Sequence, residues 1–151
     1  MRILLDTSVL VAAMVEAHPN HEHGLAWLKS VNREQDEGLV AAHSVAELYP
    51  VLTTLPVQPP ISPSDAFELI RHNVIGNLKV VSLSDEDYVQ VIEPLAAVGI
   101  VGGATYDALI LRAAENAQVD LVVTFNPRDF QRVCPDLADR IVLPQTSQTT
   151  K

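Results

Sequence analysis

The alternation of short apolar runs with segments of helical periodicity restricts the fold of this chain more than any other feature. Runs rich in apolar residues lie at 2–5, 38–42, 79–83, 120–124 and 141–143. Between them, apolar residues recur at helical spacing, as in the segment 22–31. Short buried strands that alternate with helices form a parallel sheet with helices on both faces. The sequence therefore predicts a three-layer α/β fold, in which a central parallel sheet of four to five short strands is flanked by helices.

Polar residues mark the predicted starts of several helices. Ser, Thr and Asp side chains can accept a hydrogen bond from the first free N–H groups of a helix. Residues of this kind precede or open a helical segment at Thr7 or Ser8, Ser44, Ser64 with Asp65, Ser84 and Thr105. The helices are predicted over 9–17, 22–31, 44–55, 64–75, from 84 onward, 105–116 and 127–133.

Length and composition indicate one globular domain. The chain has 151 residues, of which 48% are hydrophobic and 19% are charged, and this is enough for one buried core. We predict that residues 1–144 form the domain and that the polar residues 145–151 form a tail. No apolar run approaches the roughly 20 residues that span a membrane. Because a single cysteine, Cys134, is typical of a reducing compartment, we expect a cytoplasmic protein without a membrane partner.

The net charge of −9 weighs against a protein that binds nucleic acid through a basic surface. It does not exclude a metal-dependent nuclease. A site for divalent metal concentrates carboxylates, and the bound ion then reverses the local charge.

Three carboxylates are predicted to meet at one edge of the sheet. Asp6 ends the first strand, and Glu47 lies about one turn into the helix that follows the second strand. Asp107 lies in the first turn of a later helix, on the same face as Leu111 and Ala114, so we expect it to point toward the core. Because ligands of parallel α/β sheets bind beyond the carboxyl ends of the strands, these acids can converge there.

Oxygen ligands of this kind favour Mg²⁺, with Mn²⁺ as a possible substitute, over structural zinc. Such an ion activates water and neutralises charge on a phosphodiester. Thr124 and Asn126 follow the fourth strand and are expected to orient water or a ligand at the same edge. Each of these residues also has a structural alternative. The acids can cap a helix or a loop or complement a helix dipole, and the Asn-Pro pair is a common turn signal.

These residues lie in segments that resemble the PIN-domain family, in particular the VapC-like toxic ribonucleases of bacterial toxin–antitoxin pairs. The resemblance covers nearly the whole chain, from ILLDTSVL through SVAEL and GGATYDALI to VVTFNPRDF. By this likeness Asp6, Glu47 and Asp107 match the acidic metal-site positions, and Thr124 matches a hydroxyl residue after the fourth strand.

The resemblance implies a Mg²⁺-dependent endoribonuclease that hydrolyses RNA through metal-activated water, and commonly a homodimer. It also implies a cognate antitoxin, whose basic, Arg-bearing segment would pair with the acidic site. One departure concerns a fourth acid that many members carry two residues after the threonine. That position is Asn126 here, so a second metal ion would bind weakly, and Asp129 is only a partial substitute.

Basic and aromatic residues near these segments are candidates for contacts with RNA. Arg112, Arg128 and Arg132 are candidate phosphate ligands, with ordinary solvated charge as the alternative. Tyr106 can stack on a base or pack in the core. The histidines of the segment 18–23 can contact substrate, ligate metal or simply surround a turn.

Three other classes of protein are alternatives to a nuclease. An aspartyl-phosphate phosphatase often carries a second acid two residues after the first, but Ser8 occupies that position. A receiver-type phosphoacceptor would need paired acids at an earlier strand end. A catalytically weak or inactive PIN-like domain that binds protein or RNA is the main alternative, supported by Asn126.

Overall fold

The computed structural model describes residues 1–31 and 35–145. Its centre is a five-stranded, wholly parallel sheet in the order β3-β2-β1-β4-β5. The strands are β1 (Arg2–Leu5), β2 (Glu37–Ala41), β3 (Lys79–Val81), β4 (Leu121–Val123) and β5 (Ile141–Val142). All five predicted strands are present, most of them one or two residues shorter than predicted. The three-layer α/β prediction is therefore confirmed.

Seven α-helices connect and cover the strands in the described part of the chain. They are α1 (Thr7–Met14), α2 (His21–Ser30), α3 (Ala42–Thr54), α4 (Pro63–Ile70), α5 (Asp85–Val98), α6 (Ala104–Asn116) and α7 (Pro127–Val133). A π-helical turn, Arg71–Ile75, extends α4, and a 3-10 helix, Pro135–Arg140, precedes β5. None of the helices within residues 1–31 and 35–145 is long and apolar enough to cross a membrane.

Hydrophobic clusters cover both faces of the sheet. On one face, buried residues such as Leu5, Leu10 and Leu48 join α1, α2 and α3 to the strands. On the other, Leu111 and Phe130 of α6 and α7 pack against the strands. Burial of these side chains removes apolar surface from water, which is the main force that holds the three layers together. It also fixes the ends of β1 and β4 relative to α3 and α6.

Several helix starts differ from the prediction. Asp6, and not Thr7 or Ser8, is the N-cap of α1, and its side chain accepts from the backbone N–H of Ser8. Helix α3 begins before Ser44, whose hydroxyl is buried and has no hydrogen-bond partner among the described residues. Ser62 caps α4 in place of Ser64 and Asp65, and Thr105 caps nothing because α6 already starts at Ala104.

Ser84 caps α5 as predicted, through a reciprocal capping box with Asp87. The residues of the predicted polar tail after Gln145 lie outside the described part of the chain.

Candidate active site at the carboxyl edge of the sheet

A cavity of about 520 Å³ opens at the carboxyl edge of the sheet. The strand order places β1 in the middle, with β2 on one side and β4 on the other, so the chain reverses its direction of winding there. Parallel sheets bind ligands at such a reversal point. The cavity brings together Asp6, Glu47, Asp107 and Asn126, as the sequence predicted.

Asp6 is held by a set of hydroxyl and backbone donors. Its Oδ2 accepts from Ser8 Oγ at 2.7 Å and from Thr124 Oγ1 at 2.8 Å. Its backbone N–H donates to the Val123 carbonyl of β4 at 3.0 Å. These bonds exist because β1 and β4 end side by side and α1 begins at once, with Asp6 as its N-cap. Asp6 therefore has one fixed orientation.

Burial opposes the charge of Asp6. The residue is only 4% exposed, and this removal from water raises the pKa of its carboxyl. Hydrogen bonds from Ser8, Thr124 and the backbone lower the pKa but do not cancel the effect of burial. A nearby cation would stabilise the ionised form of this buried carboxylate.

Glu47 extends from the second turn of α3, slightly deeper in the helix than predicted. Its Oε2 lies 3.4 Å from Thr7 Oγ1, which donates to it, and 3.4 Å from His43 Nε2. Burial raises the pKa of Glu47, while the nearby His43 lowers it and the negative charge of Asp6 raises it. Glu47 thus lines the same cavity as Asp6 and is contacted by His43 of its own helix.

Burial and neighbouring acids disfavour the charge of Asp107. It lies in the first turn of α6, and Leu111 and Ala114 on its face are buried, as predicted. Burial and the negative charges of Asp6, Asp129 and Glu47, in that order, raise its pKa to about 6. The Arg132 guanidinium lowers the pKa by a smaller amount. The charges of Asp6 and Glu47 both act on Asp107, so the three acids share one electrostatic environment.

The two candidates after β4 differ in their position. Thr124 is fully buried and acts on Asp6, to which it donates. Asn126 is exposed on the rim, and its backbone N–H donates to Thr124 Oγ1 at 3.0 Å. Asn126 is the N-cap of α7, but its side-chain amide makes no capping hydrogen bond. A role in starting the helix therefore does not occupy this amide.

The donor set fits a hydrated Mg²⁺. None of the described residues that line the cavity is Lys or Arg, so no cation of the protein neutralises the three acids from within it. Within the described residues, no three His, Cys, Asp or Glu side chains lie together as a ready-made metal site, so two of the acids and water would have to hold an ion. A closed cage of protein ligands is not needed, because Mg²⁺ usually keeps several waters and uses one or two carboxylates.

The candidate arginines are not equivalent. Arg112 points to the neighbouring helix, where its Nε donates to Asp87 Oδ1 at 2.8 Å and its second contact is Gln90. The structure therefore does not bring Arg112 to the cavity. Arg132 is exposed on α7 and acts on the charge of Asp107, and Arg128 is exposed at the start of the same helix.

Sequence reasoning missed Ser8 and His43 as parts of the site. Ser8 Oγ donates to Asp6 and also accepts from the Phe125 N–H at 3.0 Å, so it ties α1 to the end of β4. The sequence offered only its place two residues after Asp6. His43 was detectable from its i, i+4 spacing to Glu47, which places both on one helix face. Of the three histidines in the segment 18–23, only His18 lines the cavity.

Comparisons with known proteins point to one family. A sequence model of the PIN domain matches residues 3–135. Ribonuclease VapC27 of Mycobacterium tuberculosis is 34% identical over 119 residues, which are 79% of this chain and 81% of the relative. Ribonuclease VapC40 of the same species is 34% identical over 128 residues, 85% of this chain and 87% of the relative.

Solved structures share the fold. VapBC2 of Rickettsia felis, solved bound to a DNA fragment from its promoter, superposes with a TM-score of 0.64 at 17% identity, over 97% of this chain and 100% of that chain. VapC20 of Mycobacterium tuberculosis, a Sarcin-Ricin loop cleaving toxin, gives 0.64 at 13% identity, over 80% of this chain and 86% of that chain.

Proposed function

Because this chain belongs to the PIN domain family, we propose that it is a Mg²⁺-dependent endoribonuclease and the toxin of a toxin–antitoxin pair. The observation that supports this most is the convergence of Asp6, Glu47 and Asp107 on one cavity whose lining, in the described residues, has no Lys or Arg. Burial raises the pKa of all three acids, and the charges of Asp6 and Glu47 raise that of Asp107 further, so their ionised forms are costly for folding unless a cation binds among them.

Asp6 and Asp107 would hold the ion, and Glu47 would complete the acidic set. A bound Mg²⁺ supplies water activation and neutralises charge on the phosphodiester. Ser8 and Thr124 keep the Asp6 carboxylate in one orientation, so that it need not reorganise when the ion binds. Asn126 offers an amide on the rim that can orient water or phosphate without adding charge.

Asn126 also bears on the number of ions. An amide oxygen can ligate Mg²⁺ but contributes no negative charge. Asp129, which acts on the charge of Asp107 from α7, is the nearest substitute for the missing acid. We therefore expect one strong ion site and a weak second one.

The substrate and the protein partner are also inferred from the family. The relatives named as VapC ribonucleases support RNA as the substrate, and the VapBC complexes among the structural neighbours support a protein partner. A cognate antitoxin would present an Arg-bearing segment to the three carboxylates, since bidentate Arg–carboxylate pairs are strong and geometrically specific. A homodimer is expected from the family, and the domain 1–144 and the tail 145–151 remain predictions from the sequence.

A cleavage assay tests the proposal. Wild type should cleave total bacterial RNA with Mg²⁺ or Mn²⁺, and EDTA should stop it. Asp6→Asn and Asp107→Asn should each reduce the cleavage rate by more than about 100-fold, because the bound ion contributes several kcal/mol to transition-state stabilisation. Both variants should still fold, since asparagine resembles the neutral carboxyl that burial already favours.

Asp85→Asn is the matched control, because Asp85 is an exposed acid at the start of α5, and it should cleave as wild type does. Cleavage that persists in EDTA, or in both site variants, would refute the proposal. A folded wild type that binds RNA but never cleaves it would favour the inactive binding module.

A further inference from the structure

An aromatic stack lies beside the cavity, and its tyrosine has no role in the proposed chemistry. The rings of His43 on α3 and Tyr106 on α6 have centroids 4.7 Å apart and are tilted by only 14°. His43 Nε2 lies 3.4 Å from Glu47 Oε2, and Tyr106 directly precedes Asp107 in the chain. The stack therefore joins the two helices that carry two of the three site acids.

Tyr106 is open to solvent. The residue is 53% exposed, so the alternative that it packs in the core is wrong. Because His43 covers one face of the ring, the exposed area of the ring lies on the opposite face and the edges. The stack also restricts the ring, so a ligand that binds to its open face loses little conformational freedom of the protein.

The charge of the chain limits how RNA can bind. There are 19 Asp and Glu against 10 Lys and Arg, and none of the described residues that line the cavity is Lys or Arg. Phosphate contacts alone thus provide little affinity at this edge. Stacking between a base and an aromatic ring does not depend on a positive charge, and it is a common way to hold single-stranded RNA.

We propose that the open face of Tyr106 stacks on an unpaired base of the substrate RNA beside the acidic cavity and so positions the strand. This inference rests on the proposed ribonuclease function and adds a residue that positions the substrate. Bases within a duplex are covered on both faces by their neighbours, so only an unpaired base can reach the ring.

Binding of labelled RNA tests this directly. The probes are fluorescein-labelled single-stranded RNA of mixed sequence, about 12 nucleotides long, and a duplex of the same length, both in EDTA so that cleavage cannot occur. Tyr106→Leu should weaken binding of the single strand on the order of tenfold, since each base–aromatic stack typically contributes about 5- to 150-fold. Tyr106→Phe should bind as wild type does, and no variant should change duplex binding.

Tyr88→Leu is the matched control, because Tyr88 on α5 is 42% exposed and lies on a different helix. Thermal melts should show that all variants fold. Wild-type affinity of Tyr106→Leu for the single strand would overturn the inference, as would an equal loss in Tyr88→Leu. A loss that accompanies a changed oligomeric state in sedimentation would also overturn it, because the ring would then belong to a protein interface.

The two proposals fail in different ways. If wild type cleaves RNA with Mg²⁺ while Tyr106→Leu binds normally, only the stacking inference fails. If Tyr106 governs binding but wild type cleaves nothing, the ribonuclease proposal fails and the binding surface stands.

Discussion

At the scale of single residues, the ionised form of Asp107 is unfavourable in the folded protein. Asp107 keeps its proton to a higher pH in the folded chain than in the unfolded one, because burial and three neighbouring acids raise its pKa from 3.8 to about 6. The stabilisation that comes from this protonated form is complete below the unfolded pKa and is lost as the pH rises through the folded pKa. Asp87 behaves in the opposite sense, since hydrogen bonds from Ser84, Arg112 and Asn116 lower its pKa.

Asp107→Asn should therefore be more stable than wild type in EDTA at about pH 8, by about 1 kcal/mol once solvent screening of this half-buried group is considered. The difference should shrink toward zero as the pH falls below about 3, where both states are protonated. Chemical unfolding at a series of pH values measures it. Asp87→Asn is the control of opposite sign: it should be less stable than wild type at about pH 8, and its deficit should close in acid. A deficit for Asp107→Asn at high pH would contradict the account.

At the scale of elements, the N-terminal ends of α1 and α6 position two of the site acids, Asp6 and Asp107. Helix α1 starts at the end of β1 and so fixes Asp6 and Ser8 against β4, while α6 carries Asp107 and is tied to α5 by the pair of Arg112 and Asp87. Arg112 of α6 and Arg132 of α7 are thus expected to have different roles, the first in helix packing and the second in the electrostatics of the site.

Arg112→Met should lower the melting temperature and speed hydrogen exchange in α5 and α6, because Asp87 loses one of its donors. The KM for RNA should stay at the wild-type value, since the guanidinium does not reach the cavity. Arg132→Met should show the reverse, with several-fold weaker binding of RNA and little change in melting. If Arg112→Met raised KM as much as Arg132→Met does, the assignment of roles would be wrong.

The elements also show what the sequence can and cannot predict. Asp6 was placed correctly because the end of an apolar strand and the rule for parallel sheets both determine its position. Ser8 was missed because a hydroxyl two residues along can cap the helix or point to another strand, and only the packing of β4 decides. The start of α3 was placed too late because Ala41 caps it without a side-chain bond. Exposure of Tyr106 depends on how α3 and α6 pack, which no local pattern shows.

At the scale of the whole molecule, the acids are concentrated where the sheet changes its direction of winding. The net charge of −9 and the absence of Lys and Arg from the described cavity lining favour the proposed cation at this edge. The fold supplies the geometry through β1 and β4, and the charge determines what binds there. An antitoxin with a basic segment and a metal ion would then compete for the same carboxylates.

Binding of Mn²⁺, followed by electron paramagnetic resonance, tests this central claim most directly. Wild type should bind Mn²⁺, and Mg²⁺ should displace it. Asp6→Asn and Asp107→Asn should weaken binding at least about tenfold, and Ser8→Ala by about tenfold, because loss of a residue that orients a ligand typically costs 10–100-fold. Asp85→Asn should bind as wild type does. Equal Mn²⁺ affinity in wild type, Asp6→Asn and Asp107→Asn would show that these carboxylates do not form the metal site.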